Sequence, residues 1–309
     1  MTMSGGYGRD AAIEALLSEA RRELLVVAIA SCSLDDDAAA IASARLRWAI
    51  SAARPLIAAQ GHDARHAHQL DRIANRAQRW LAAEPPRPLQ EIRSLVDRVS
   101  LRRRRRGPAI AADHAVLVDL DLDELDLGRI SLRAAHLTEV GLRRAACVAA
   151  DASASRWLRC RLERCDLAMA VLAGAHLERC ELSRARAEGT SWHRATLVHC
   201  ALRRASLIDA RLDRAELRDC DLRGADLSIV RSPNVATLVG ARFVRCDLRD
   251  TRWTGRELGG AAFVDCKLFG ARGATAVAGV MIERPDLSRL GDGSQIATQS
   301  DVVAGWSPA

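Results

Sequence analysis

A chain of 309 residues is long enough for one or two domains. Its 49 % hydrophobic and 28 % charged residues exclude a disordered chain, and an aromatic share of only 3 % argues against a core built on rings. The formal charge is +7, and a run of five arginines at 102–106 supplies much of it.

The first hundred residues read as helices. Ile13, Leu16, Leu17, Ala20, Leu24, Val27 and Ala28 follow helical spacing over 10–31. After the acidic start Asp35-Asp36-Asp37, a second helix carries Ile41, Leu46, Trp48, Ala49 and Ala52, and Pro55 is expected to end or kink it. A third, 63–83, places Leu70, Ile73, Ala74, Ala77, Trp80 and Leu81 on one face. Pro85, Pro86 and Pro88 separate it from a fourth, about 88–101. Four amphipathic helices with short connections predict an antiparallel bundle over 1–101.

Two motifs in this region admit other readings. Leu24 to Cys32 resembles a lipoprotein signal, but Glu14, Glu19 and Glu23 stand where such a signal needs a basic leader. The run therefore reads as the apolar face of a helix, with no transmembrane segment. His62, His66 and His68 include an i, i+4 pair, yet no glutamate completes a metal motif, so they read as a polar helix face. Residues 102–112, with Arg103, Arg104 and Arg105 at the heart of the arginine run, read as a basic linker that could meet nucleic acid or another acidic surface.

From Leu117 to Leu227 every fifth residue falls in one register, and eighteen of these twenty-three positions are leucine. The exceptions are Cys147, Ala152, Trp157, Ala187 and Trp192, and two residues before each position the residue is usually Ala or Cys. A helix repeats its apolar residues at about 3.6 and a strand at 2, so a period of five fits neither. It fits a chain wound into a solenoid, one short segment per side. The unit is small-x-Leu-x-x, as in Cys165-Asp166-Leu167-Ala168-Met169 and Ala225-Asp226-Leu227-Ser228-Ile229.

This unit resembles the pentapeptide-repeat family. The resemblance implies a mainly β right-handed quadrilateral β-helix over 113–273, about eight coils long, preceded by the α-helical bundle. In it Leu127, Leu167, Leu207 and Leu227, with the small residues Cys165, Cys180 and Cys220, point inward. The register slips by one residue at Ser232-Pro233-Asn234 and resumes at Leu238, so 230–236 reads as a bulge or small loop. Residues 274–309 form a tail that could cap the last coil.

Of nine cysteines, seven take the small inward position, Cys147 takes a Leu position, and Cys32 lies outside the repeat. They read as small hydrophobes rather than metal ligands or disulfides, since no Cys-x-x-Cys pair occurs. Buried free thiols suit a reducing compartment, and a cytoplasmic location is the expectation.

Four units per coil would stack residues twenty apart at about 4.8 Å. Arg144, Arg164, Arg184 and Arg204 then form a row that Gly224 interrupts and Arg245 resumes. Like charges stacked across strands destabilise a sheet. Either neighbours such as Glu163, Glu181 and Asp221 neutralise the row or a partner does. Outward Val148, Met169, Val171, Ile208 and Ile229 offer an apolar alternative. No nucleophile–base pair, phosphate loop or metal set is visible, and no cofactor is implied. The expectation is a non-enzymatic scaffold that binds another protein, with the helical domain a possible site of homo-oligomerisation. Two rivals remain. Some relatives of this repeat resemble DNA electrostatically and protect type II topoisomerases from drugs, but such a column should be acidic, and 113–273 holds 26 Lys and Arg against 23 Asp and Glu, a net +3. The other rival is a secretion-system effector or accessory protein.

Overall fold

In a computed structural model of the chain, the described residues are 5–33, 36–59, 64–81, 110–230, 238–274 and 278–306. The chain divides into two compact units, 1–108 with 115–125, and 109–114 with 126–309.

The first unit holds three helices, α1 (Gly5–Ser33), α2 (Asp36–Ala59) and α3 (Ala64–Leu81), and the strand β1 (Val116–Val118). Ile13, Leu17, Ala20, Leu24, Val27 and Ala28 of α1 are buried, as are Leu46 and Ala49 of α2 and Leu70, Ile73 and Ala77 of α3. Pro55 does not end α2. The helix runs on to Ala59 because Ala53 and Ile57, on either side of the proline, are both buried. Trp48, expected on the apolar face, is 62 % exposed. A buried ion pair, Arg45 to Glu23 at 3.3 Å, ties α2 to α1. The helical arginines meet the acidic run that opens the repeat: Arg76 Nη2 bonds Asp119 at 3.0 Å, Arg72 lies 3.6 Å from Asp121, and Arg21 Nη1 donates to the Asp123 carbonyl at 2.6 Å. The expected fourth helix, 88–101, and the basic run 102–106 lie outside the described residues.

The repeat forms a parallel β-solenoid of about eight turns over 116–283. Its second unit carries β2 (His136–Thr138), β3 (Arg156–Leu158), β4 (His176–Glu178), β5 (Thr196–Val198), β6 (Glu216–Arg218), β7 (Arg242–Val244), β8 (Ala262–Val264) and β9 (Met281–Glu283). Each strand pairs in parallel with the next, Leu137 against Trp157, Trp157 against Leu177 and so on. Isolated parallel bridges such as Gly141 to Arg161, Ala146 to Asp166 and Ser131 to Asp151 form the other three sides. Leu127, Leu167, Leu207 and Leu227 are buried, and so are Cys165, Cys180 and Cys220.

The unit's residue preferences follow from this winding. The carboxylate of an Asp before the Leu accepts the N–H of the residue after it, as Asp166 does from Ala168 at 3.1 Å and Asp226 from Ser228 at 3.0 Å. The last residue of each unit turns the corner with positive φ, for example Arg164 at 58° and Arg204 at 54°, a region that costs a non-glycine residue roughly 1 kcal/mol. Three of the four corners close with a bond from the small residue's N–H to the carbonyl three residues back, as Ala145 does to Leu142 at 3.1 Å. The corner after each strand is an open bend without that bond among the described residues.

At 230–236 the stacking interval grows from 20 residues to 26: Glu216 of β6 stands beside Arg242 of β7. Residues 231–237 are not described. The last coil ends in α4 (Gln299–Trp306). The Gln299 side chain accepts the Ile282 N–H at 3.0 Å, and Trp306 meets Phe263 at 5.6 Å between ring centroids. Phe263 in turn stacks on Phe243 at 4.9 Å, with Trp253 edge-on to both.

Candidate interaction surface

The backbone bonds between coils define which corner residues stack. Arg144 N–H donates to the Glu163 carbonyl, Arg164 to Ser183, Arg184 to Arg203, Arg204 to Arg223, Gly224 to Arg249 and Asp250 to Phe269, all at 2.8–3.1 Å. One corner column therefore reads Arg144, Arg164, Arg184, Arg204, Gly224, Asp250, Gly270. The first four are exposed.

Arg245 does not resume this row. The insertion before it is a full five-residue unit plus one, so Arg245 moves round by one side. It stands over Asp219, to which it bonds through Nε and Nη2, both at 2.7 Å. Its own column reads Glu139, Arg159, Arg179, His199, Asp219, Arg245, Asp265, Arg284, and it is neutralised from within. Arg159 pairs with Glu139 at 2.8 Å, Arg179 with Glu178 at 3.6 Å and Arg284 with Asp265 at 2.5 Å. The Arg245 guanidinium holds the Asp219 carboxyl below the usual carboxylate range, and Arg284 does the same to Asp265.

The carboxylates expected to neutralise the Arg144–Arg204 row serve other groups. Asp221 bonds Arg203 and Arg223, at 2.5 and 2.8 Å, and Glu181 accepts the Ser183 N–H at 3.0 Å. Glu163 keeps one buried carboxylate oxygen without a hydrogen-bond partner among the described residues. Arg164, Arg184 and Arg204 make no ion pair among the described residues. Two neighbouring corners of one solenoid thus differ: one mixes arginines with carboxylates and pairs them, while Arg164, Arg184 and Arg204 on the other make no ion pair among the described residues. Arg103, Arg104 and Arg105 lie outside the described residues. Of the outward apolar residues, Val148, Met169 and Val171 are exposed and Ile208 and Ile229 are half-buried.

The interior is lined by leucine and small residues, cysteine among them. Six of the cysteines, 160, 180, 200, 220, 246 and 266, fall in one column at the open bend. Each thiol donates to the carbonyl of the strand residue one coil earlier: Cys160 to Leu137, Cys180 to Trp157, Cys200 to Leu177 and Cys220 to Leu197 at 3.5 Å, and Cys246 to Leu217 and Cys266 to Phe243 at 3.3 Å. Alanine has no donor to offer at the corner that lacks the turn bond. Burial drives the Cys246 thiol up, and within the ladder neighbouring thiols push Cys180 and Cys220 up and Cys160 and Cys200 down. Each thiol of the column is buried and donates to backbone carbonyls, an arrangement that uses the protonated sulfur as a donor. Eight cysteines are free buried thiols, and the described residues contain no His, Cys, Asp or Glu group able to hold a metal. His66 bonds Glu14 at 2.8 Å and His68 is exposed; His62 lies outside the described residues.

Two features carry little signal in the motif. Wherever Trp replaces Leu, Ser or Thr replaces the small residue two before it, and the indole N–H donates to that hydroxyl: Trp157 to Ser155 and Trp192 to Thr190 at 2.6 Å, Trp253 to Thr251 at 2.9 Å. The thrice-repeated [Ser/Thr]-x-Trp could have been read from the sequence. Arg256, at a small inward position, is fully buried; it donates to the carbonyls of Leu227 at 2.5 Å and Ala210 at 3.1 Å, and burial lowers its pKa to about 10. Nothing in the repeat announces it.

No helix among the described residues is long and apolar enough to cross a membrane. A family model, pentapeptide repeats, matches residues 148–191 and 193–228 in 8 copies. No curated protein matches the chain. Among solved structures, HetL, a pentapeptide repeat protein involved in heterocyst differentiation regulation in the cyanobacterium Nostoc sp. strain PCC 7120, is 24 % identical, with 65 % of this chain and 98 % of that one covered and a TM-score of 0.36. QnrB1, a plasmid-mediated fluoroquinolone resistance protein, is 19 % identical over 65 % of this chain and 98 % of its own, at 0.34. A pentapeptide repeat protein of the Arabidopsis thaliana thylakoid lumen is 20 % identical over 40 % and 60 %, at 0.17.

Proposed function

We propose, for a chain whose solenoid belongs to the pentapeptide-repeat family, a non-enzymatic role: it is an interaction protein that binds an acidic partner protein along the Arg164–Arg184–Arg204 ridge. The observation that supports this reading is the contrast between the two corners. On the neighbouring corner carboxylates stand among the arginines and pair with them, and among the described residues Arg164, Arg184 and Arg204 have no such pair. Stacked like charges at about 4.8 Å repel one another, and an acidic surface laid along them removes that repulsion. The ridge has the opposite sign from an acidic DNA mimic, so nothing in the charge pattern favours the topoisomerase reading.

The test is charge reversal. Arg164→Glu with Arg184→Glu should leave the melting temperature close to that of the wild type, because neither side chain makes an ion pair among the described residues. It should abolish capture of the native partner, and wild-type capture should weaken steeply between low and physiological salt. Full capture by the double variant at low salt would refute the ridge.

A further inference from the structure

At its upper end the ridge runs into a hollow of about 500 Å³, lined by Arg223, Arg249, Asp250, Phe269 and Arg289. The column makes room for it. Gly224 takes the place where a fifth arginine would stand, and Gly270 follows above Asp250. The volume lies in the range of small ligand pockets.

The hollow's guanidinium groups are fixed in place. Arg223 bonds Asp221 through Nε at 3.0 Å and Nη2 at 2.8 Å. Arg249 bonds Asp247 through Nε at 2.8 Å and Nη2 at 2.6 Å, and donates from Nη1 to the Arg289 carbonyl at 3.0 Å. Bidentate pairing leaves each planar group rigid, with its edge occupied and its faces able to stack. Charge decides what the hollow takes. Arg223 and Arg249 are already held by Asp221 and Asp247, and Asp250 adds a carboxylate to the lining, so an incoming anion meets acidic groups there. An uncharged aromatic ring gains from guanidinium faces and from Phe269, which is 37 % exposed.

Resting on the ridge as the binding surface, we propose that the partner presents an extended acidic segment with an aromatic anchor. Its carboxylates lie over Arg164, Arg184 and Arg204, and its aromatic side chain seats in the hollow beside Gly224. The dimensions agree. Arg164 to Gly224 is three coil rises, about 14 Å, which an extended strand covers in about four residues, with alternate side chains on one face about 6.8 Å apart. A nucleic acid fits less well. Glu163 and Glu181 stand beside the ridge and Asp221 already holds its neighbours Arg203 and Arg223, and single-stranded binding needs a series of aromatic platforms, where this surface offers Phe269 alone among its lining residues.

The test uses the full-length chain and fluorescein-labelled acetyl-Glu-Ser-Glu-Ser-Trp-Ser amide, with an otherwise identical peptide carrying Ala for Trp, read by fluorescence anisotropy at low salt. The Trp peptide should bind about tenfold more tightly than its Ala twin. Phe269→Ala should erase that difference, and so should Gly224→Arg, which fills the hollow with a residue whose column neighbour Arg204 already adopts the same positive φ. Arg164→Glu with Arg184→Glu should weaken both peptides at least tenfold. Equal binding of the two peptides to the wild type, with both weakened by the charge reversal, would overturn the anchor and leave the ridge standing. Tighter binding of an oligothymidine than of the Trp peptide would overturn the partner class. Absence of peptide binding, or binding indifferent to the charge reversal, would overturn ridge and anchor together.

Discussion

Thr190→Val isolates the hydroxyl that serves Trp192. Valine keeps the shape of threonine, so no cavity opens. Trp192 is 1 % exposed, and its indole N–H donates to Thr190 Oγ1 at 2.6 Å; the hydroxyl passes the bond on to the Ala187 carbonyl at 2.7 Å. Removing the hydroxyl leaves a buried donor without a partner, at a cost of about 1–3 kcal/mol. The Ala187 carbonyl keeps only the long 3.4 Å bond from the Thr190 N–H, which places the cost in the upper half of that range. Trp192→Leu alone leaves the hydroxyl bonded to Ala187 and costs about 2–4 kcal/mol for the lost ring volume. Thr190→Val with Trp192→Leu removes donor and acceptor together, so it should cost about 1–2 kcal/mol less than the two single changes added together. Urea unfolding followed by far-ultraviolet circular dichroism reads these differences. A Thr190→Val chain within about 0.5 kcal/mol of wild type would refute the argument, as would strict additivity in the double variant.

The remaining predictions follow from the same structure. Leu167→Ala should cost about 2–5 kcal/mol in the same assay, and Leu167→Asp should prevent recovery of soluble protein. Cys→Ala at 160, 180, 200 and 220 together should fold and keep peptide binding, with each lost thiol bond costing about 1 kcal/mol or less; stoichiometric zinc in the wild type that vanishes in this variant would contradict the donor role. Arg133 and Ser131 bond the Asp113 carboxylate, and the Arg133 guanidinium lowers its pKa to about 2. A depressed carboxyl contributes stability above the unfolded value of about 3.9 that is lost as pH falls toward 2. Arg133→Met should therefore raise the Asp113 carbon-detected NMR titration midpoint toward that value, and an unchanged midpoint would show that the pair has no effect.

Most of the fold was legible because the period is chemical. Each fifth residue must fill the same narrow interior, so Leu recurs, and seven cysteines stand where Ala would. What stayed hidden depends on backbone geometry that side chains do not encode. The open bend that favours a thiol donor explains why six cysteines share one column, yet their spacing only looks meaningful when counted by coils of twenty. Positive φ at most corners left no glycine signature in the first coils, since Arg, Asp and Ala adopt it alongside Gly. In the helical unit, Pro55 looked like a terminus because the bond it removes is local, while the burial of Ala53 and Ile57 that carries α2 past it is tertiary.

The arginine row shows how one count changes a surface. Read in fives, the shift at 230–236 is a single residue and Arg245 continues the row. Wound into coils, the same shift is a unit plus one, and Arg245 turns onto the neighbouring corner, over Asp219. The ridge then ends at Gly224, and the place of a fifth cation is taken by a hollow in which Arg223 and Arg249 are paired with Asp221 and Asp247. The cationic surface is therefore shorter than the sequence suggests, three arginines without an ion pair among the described residues over two coil rises of about 10 Å in all, and it has a direction, with free charge at one end and a hollow of paired arginines at the other. A uniform cationic row would accept any polyanion in any register. A short row that ends in paired charge fixes both the register and the polarity of the segment laid on it, and that is the property an interaction surface needs to choose one acidic partner among many.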